Sequence, residues 1–324
     1  MTPAVGDMLS VLANHFDEPF GDSSAIPTLY LARMTREHVT VALSGDGADE
    51  VFGGYRRYRH GWAEHRVRRA LPHWARRLSA SVARHYPKFD YLPRIFRGKT
   101  FLGNLGLSLG EAYFVSMSTF RDPGSVLAPE LNATLEGYSP REAFVERFQP
   151  LRHLSALEQM QAVDFDTWLP GDILVKADRA TMAYSLESRS PWLDYRLVEL
   201  ACRLPSRFKV HGSIGKHIFK KALAKYVPEP VITRRKMGFS VPLASWFRTE
   251  LKPTFESAVF DKEMEQYFHI PAVRRIWTEH QSGLHNHDRK LWNLLMLANW
   301  HARHVRREAV PVRAGRAAQR PLEF

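Results

Sequence analysis

The chain has 324 residues, 44% of them hydrophobic and 25% charged, which is enough apolar material for a sizeable core and excludes wholesale disorder. No apolar run is long enough to cross a membrane, and a single cysteine, Cys202, excludes an internal disulfide framework and a cysteine-based zinc site. The net charge of +12 is uneven: residues 56–99 hold 13 Lys/Arg against Glu64 and Asp90, and residues 301–324 hold six Arg against Glu308 and Glu323. Such a distribution fits either a polyanion-binding surface or a solvated helical face followed by an unstructured tail. Asp7, with no basic residue before it, stands where a secretory leader would carry its positive charge, so a cytoplasmic, reducing compartment is expected.

Val5, Met8, Leu9 and Leu12 recur at helical spacing and predict a short amphipathic helix at the start. The polar stretch Asp17–Ser24 interrupts it, and Pro27 suits the opening of a helix through Arg33. Val39–Leu43 is short, β-branched and apolar, the pattern of a strand buried on both faces. A Gly-rich turn, Ser44-Gly45-Asp46-Gly47, follows at once, then Asp49, Glu50 and Gly53-Gly54-Tyr55. From 100 to 138 the pattern favours no element. Ser139-Pro140-Arg141-Glu142 and Ser155–Glu158 both have the spacing of a helix-capping box. Pro170-Gly171 is expected to stop the second of these helices, and Asp172–Glu187 reads as another, with Asp172, Lys176 and Arg179 on one face. Later helices fit Arg196–Arg203, Lys216–Tyr226, Pro242–Glu250 and Arg289–His304, with Cys202 facing the core. Apart from the first strand the chain reads as mostly helical.

The turn after the strand carries the most chemistry. Gly45 and Gly47 let backbone N–H groups face a phosphate, Ser44 adds a hydroxyl donor, and Asp46, Asp49 and Glu50 bunch carboxylates where a divalent cation would sit between them and the phosphate. The same residues also fit an ordinary strand-to-helix turn with acids near a helix start. Gly212–Lys216 is a second turn, whose lysine would meet a phosphate or simply face solvent at a helix start. Asp172, Lys176, Asp178, Arg179, Glu187, Arg189 and Asp194 form either a functional set or a structural ion-pair network. His285, His287 and Asp288 have metal-like spacing within a polar linker.

Several of these segments resemble a known family. Asp17–Pro27, Leu43–Tyr55, Leu169–Arg179, Ser185–Asp194, Gly215-Lys216 and Arg235–Pro242 are similar, in family order, to the synthetase domain of glutamine-dependent asparagine synthetases. The resemblance implies an α/β fold: a parallel-sheet, adenine-nucleotide alpha-hydrolase-like (ATP-pyrophosphatase) domain over residues 1–300, largely helical towards its C-terminus, with a basic tail over 301–324. It implies ATP and Mg²⁺ as cofactors and adenylation of the aspartate side-chain carboxylate with release of pyrophosphate. Ammonia, delivered from glutamine by a glutaminase domain, then gives asparagine and AMP. By the same resemblance Ser44, Gly45 and Gly47 contact nucleotide phosphates, Asp49 ligates Mg²⁺, and Asp46 lies beside the pyrophosphate and reacting carboxylate. Lys216 neutralises charge on the leaving group, and Asp172 acts as an acid/base or orienting group.

The sequence departs from the family in two respects. It has no glutaminase segment with a terminal cysteine, and it has no Ser-Gly-Gly-x-Asp-Ser pyrophosphate loop. The expectation is therefore a truncated synthetase domain, inactive alone, whose missing half belongs to the same gene product or to a partner subunit. Two other readings stay open: a same-fold ligase that amidates or cyclises another carboxylate, and a non-catalytic fragment that binds a polyanion or a protein partner.

Overall fold

A computed structural model describes residues 5–85, 99–234 and 238–306. Helix α1 (Val5–His15) buries Met8, Leu9 and Leu12, as their spacing predicts. Helix α2 (Ala25–Arg36) begins before Pro27 and buries Ala25, Ile26, Leu29 and Ala32. Strand β1 (Val41–Leu43) then leads into a one-turn helix, α3 (Ala48–Phe52).

Much of the basic run forms two helices, α4 (Arg56–Ala70) and α5 (His73–His85), while residues 86–98 lie outside the described structure. Not all of its charge faces water. Arg68 is buried and donates to the Asn104 carbonyl at 2.9 Å, and Arg57 turns inward. The stretch from 100 to 138, where the sequence favoured no element, contains α6 (Lys99–Leu105), α7 (Leu109–Met117) and α8 (Pro129–Thr134). Ser108 and Glu111 make a reciprocal cap on α7, a signal hidden among its Gly, Ser and Leu neighbours.

Helix α9 (Pro140–Glu146) starts at Ser139, whose side chain accepts from the Glu142 N–H, and Ser155 caps α10 (Ala156–Asp166) with the full reciprocal box. Pro170-Gly171 does not stop the chain's helical path. The backbone widens into a π-helical stretch over Leu169–Leu174 and continues as α11 (Val175–Met182). Pro170 lacks a donor N–H, and a wider turn absorbs that loss without ending the coil. The helix expected over Asp172–Glu187 accordingly ends at Met182, because Glu187 opens strand β2 (Glu187–Arg189).

Strands β1 and β2 pair in parallel, Val41 with Glu187 and Leu43 with Arg189. The expected burial of β1 on both faces is not found: Leu43 is 75% exposed and Val41 is also exposed. With three residues and one neighbouring strand among the described residues, β1 has no layer over its outer side.

Helix α12 (Tyr195–Arg203) follows, with Cys202 exposed rather than in the core, because the helix buries Ala201 instead. Helix α13 (Ser206–Lys209) runs into a two-residue antiparallel hairpin, β3 (Val210–His211) and β4 (Ile214–Gly215). Helix α14 (His217–Leu223) and α15 (Glu229–Thr233) come next; residues 235–237 of the last family motif lie outside the described structure. The helix expected over Pro242–Glu250 is a single turn, α16 (Leu243–Trp246), before α17 (Lys252–Val259). Helices α18 (Ile270–Gln281) and α19 (Asp288–His304) complete the order.

The largest core among the described residues joins the first described helices to the last: Trp292, Leu291 and Leu295 of α19 pack with α1, α2 and Phe247 and Phe255. Asn299 of α19 donates to the Leu9 carbonyl at 2.8 Å, which fixes α19 against α1. A second core holds Tyr58, Tyr113, Leu157 and Met160, and a third packs Val51, Phe52 and Ala201 against Phe219 and Trp192. The third core lies beneath α3 and positions the turn after β1. No helix of the described residues is long and apolar enough to cross a membrane.

Candidate active site

Strand β1 delivers the Gly-rich turn. The Ser44 N–H donates to the Arg189 carbonyl at 2.8 Å, and Ser190 Oγ donates to the Asp46 carbonyl at 2.6 Å, so the turn is tied to the end of β2. Gly47 adopts φ +81°, and a Cβ there would overlap Leu193 Cδ2, so a side chain is barred both by conformation and by space. Gly45 is exposed with open space beside it. Asp46 and Asp49 are half-buried and Glu50 is buried.

Lys216 arrives from the β3–β4 hairpin with a left-handed backbone, φ +53°, unusual for a residue with a Cβ. Its N–H donates to the Phe52 carbonyl at 3.2 Å, and its ammonium lies 2.9 Å from Asp49 Oδ1. Glycines permit the approach. A Cβ on Gly215 would sit 2.7 Å from the Gly53 carbonyl oxygen; one on Gly54 would overlap Asp49 Oδ1 and lie 2.6 Å from Lys216 Cε. The lysine and aspartate side chains keep 24% and 18% of their surface exposed, so the pair is sheltered yet reachable.

Behind this pair runs a network that the sequence did not reveal. Tyr55 Oη donates to Glu50 Oε1 at 2.5 Å, and the Arg57 guanidinium stacks 3.7 Å above the Tyr55 ring and 4.8 Å from Trp168. Arg57 donates to Asp164 Oδ2 at 2.7 Å, and Tyr58 and Tyr113 donate to the same oxygen at 2.5 and 2.8 Å. Burial pushes the Glu50 carboxyl above its ordinary range, with the Tyr55 hydroxyl opposing. Burial, then the nearby Glu50 charge, raises Tyr55 well above a normal phenol.

Asp172 sits on the π-helical stretch, and its carboxyl is pushed up to about 7, first by burial and then by the negative charge of Asp22. Lys176 and Arg57 oppose that rise, which puts both within electrostatic reach. Asp172 Oδ2 is buried and has no hydrogen-bond partner among the described residues. Asp22 itself accepts from Lys176 Nζ at 2.6 Å. Burial alone would raise Asp22, but Lys176 and the Ser24 hydroxyl outweigh it, and its carboxyl ends below the usual range.

The structure thus brings Asp49 and Lys216 together at the mouth of the Ser44–Gly47 turn. Asp172 belongs to a neighbouring group with Asp22 and Lys176, joined to the first through the charges of Glu50 and Arg57. The dense charged set around residues 172–194 divides into separate pairs: Lys176 with Asp22, Arg179 with Asp17, Arg189 with Glu187, and Arg196 with Asp194. His287 bonds Glu279 at 2.7 Å, and Asp288 accepts from Asn286, so these residues organise a local turn. Among the described residues no three His, Cys, Asp or Glu side chains converge as a self-sufficient metal site. Arg57 had been hidden within a basic run, and the Asp22–Lys176 pair joins two segments that spacing alone could not connect.

Comparison with known proteins agrees with this arrangement of motifs. The asparagine synthase family model matches residues 3–302. The chain is 33% identical over 297 residues to asparagine synthetase [glutamine-hydrolyzing] 1 of Bacillus subtilis, covering 92% of this chain and 46% of that protein. It is 37% identical over 302 residues to putative asparagine synthetases [glutamine-hydrolyzing] of Mycobacterium bovis and Mycobacterium tuberculosis, covering 92% of this chain and 44% of each. The chain therefore spans about half the length of these relatives. With its motifs in family order, its turn-and-lysine site assembled and the match running over nearly all of its length, this chain belongs to the asparagine synthase family.

Proposed function

We propose that the site activates a carboxylate with ATP and passes it to ammonia, the carboxylate being the side chain of aspartate and the product asparagine. The observation that carries this reading is the Asp49–Lys216 pair, built over Gly54 beside a Gly-rich turn in a chain of this family. Adenine-nucleotide alpha-hydrolase-like architecture fits the parallel β1–β2 pair with the turn at the C-terminal end of β1.

In this reading Ser44, Gly45 and Gly47 hold nucleotide phosphates through backbone N–H groups and the serine hydroxyl. Asp46 stands beside the reacting carboxylate. The donor set fits a hard divalent cation, since Mg²⁺ takes one or two carboxylates and leaves the rest of its shell to phosphate and water. Asp49, already oriented by Lys216, would hold Mg²⁺, which when bound supplies neutralisation of phosphate charge. An oxygen of the aspartate side chain attacks the α-phosphorus, and the bond to pyrophosphate breaks. Lys216 stabilises the negative charge that collects on that leaving group. Ammonia then attacks the acyl carbon of the resulting β-aspartyl-adenylate and AMP departs. Asp172, titrating near neutrality, accepts the proton lost from the nitrogen.

Glutamine-derived ammonia and the pyrophosphate loop would come from polypeptide outside these 324 residues, in the same natural chain or in a partner subunit of the cytoplasm. The test is asparagine and AMP formation from aspartate, ATP, Mg²⁺ and ammonia. The 324-residue chain alone should form neither product; adding the N-terminal half of the Bacillus subtilis relative should restore both. Asparagine made by the chain alone would overturn the assignment of the phosphate loop elsewhere.

A further inference from the structure

Lys209 is 2% exposed and so is Gln161, although a buried lysine ammonium is costly and uncommon. Lys209 Nζ lies 3.1 Å from Gln161 Oε1. The amide group of Gln161 donates in turn to the Glu50 carbonyl at 2.5 Å and the Val51 carbonyl at 3.1 Å. Those carbonyls belong to α3, the single turn that carries Asp49. The backbone of Lys209 meanwhile enters β3, whose hairpin partner β4 leads directly into Lys216. One residue is therefore attached to both halves of the Asp49–Lys216 pair, to one by its side chain and to the other by its main chain.

Packing does not explain the ammonium. Burial pushes the Lys209 amine below its usual range, and an apolar side chain of similar size would fill the same space without desolvating a charge. What the ammonium adds is direction. With a donor facing Oε1, the Gln161 amide cannot rotate end for end, so its NH₂ stays aimed at the α3 carbonyls. We propose that Lys209, acting through Gln161, is a positioning residue that holds the Asp49 turn in register with Lys216. The inference rests on the reading that this pair serves the phosphate chemistry, and Lys209 itself touches no reacting atom.

The experiment uses the 324-residue chain and its Lys209→Met variant, and reads acylation of Lys216 by an amine-selective reagent, peptide by peptide, with Lys220 and Lys221 of α14 as internal references. An amine held against a carboxylate is a poor nucleophile, so loosening the pair should raise Lys216 labelling roughly threefold or more, with the references unchanged. The melting temperature should shift by only a few degrees in either direction, because removing a desolvated charge offsets leaving Gln161 Oε1 without its donor. The double variant Lys209→Met with Gln161→Leu removes the buried ammonium and its acceptor together, though it also takes the amide donor from the Glu50 and Val51 carbonyls, and it serves as a second reading if the single variant fails to fold. It should show the same increase and no more. Unchanged Lys216 labelling in a folded variant would overturn the proposal, as would an increase matched by the Lys220 and Lys221 references. Absence of ATP-dependent chemistry in the natural protein would count against the ligase reading and leave the labelling result standing.

Discussion

Lys216 and Asp49 meet at 2.9 Å because two glycine-bearing segments, Gly53-Gly54 and Gly215, pack closely enough for a lysine to reach over one of them. Gly54 is the critical floor. Its missing Cβ is the space that the carboxylate and the lysine stem occupy. The variant Gly54→Ala should lose about 1–3 kcal/mol of stability, as expected for overpacking, and should open the ion pair. Urea unfolding measures the first effect and Lys216 labelling the second.

Asp172 predicts a pH dependence with a definite sign. Its carboxyl is raised from 3.8 to about 7 in the folded chain, so between those values the unfolded chain has released a proton that the folded chain retains. Stability attributable to this residue therefore falls as pH rises from about 4 to 7 and levels off above. Asp172→Asn removes that loss. Melting curves of the two proteins should coincide near pH 4, and the variant should be the more stable at pH 7.5, by an amount on the order of 4 kcal/mol.

Arg57 is the cation for a carboxylate, Asp164, that is wholly buried and also takes two tyrosine hydroxyls. Arg57→Leu strands that charge and should cost about 3 kcal/mol in denaturant unfolding. Adding Asp164→Asn should recover part of the loss, because the stranded charge is then gone.

Cys202 provides a check on surface placement. It is exposed on α12, so a thiol reagent should modify it fully in the native protein, and Cys202→Ser should shift stability by less than about 0.5 kcal/mol.

The parts of the molecule legible in its sequence were those governed by local rules. Spacing showed α1, α10 and α19, and Ser139 and Ser155 marked the helix starts they occupy. The Ser44–Gly47 turn was legible because its glycines and acids are contiguous. Long-range pairings were not. Asp22 with Lys176, Arg57 with Asp164, and Lys209 with Gln161 each join distant segments, and no periodicity records which partner a charge will find. Val39–Leu43 misled for a related reason: an apolar run states that burial is favourable, whereas among the described residues no layer covers Leu43, which is left exposed. Pro170-Gly171 misled because a π-helical turn can carry a helix past residues that ordinarily end one.

The central claim is that this site adenylates aspartate with help from Lys216. Its most direct test is aspartate-dependent exchange of labelled pyrophosphate into ATP, measured on the protein purified from its own host beside a Lys216→Ala variant. The account predicts exchange that requires both aspartate and Mg²⁺ and falls at least about a hundredfold in the variant. Exchange that ignores aspartate, or that survives loss of Lys216, would contradict it.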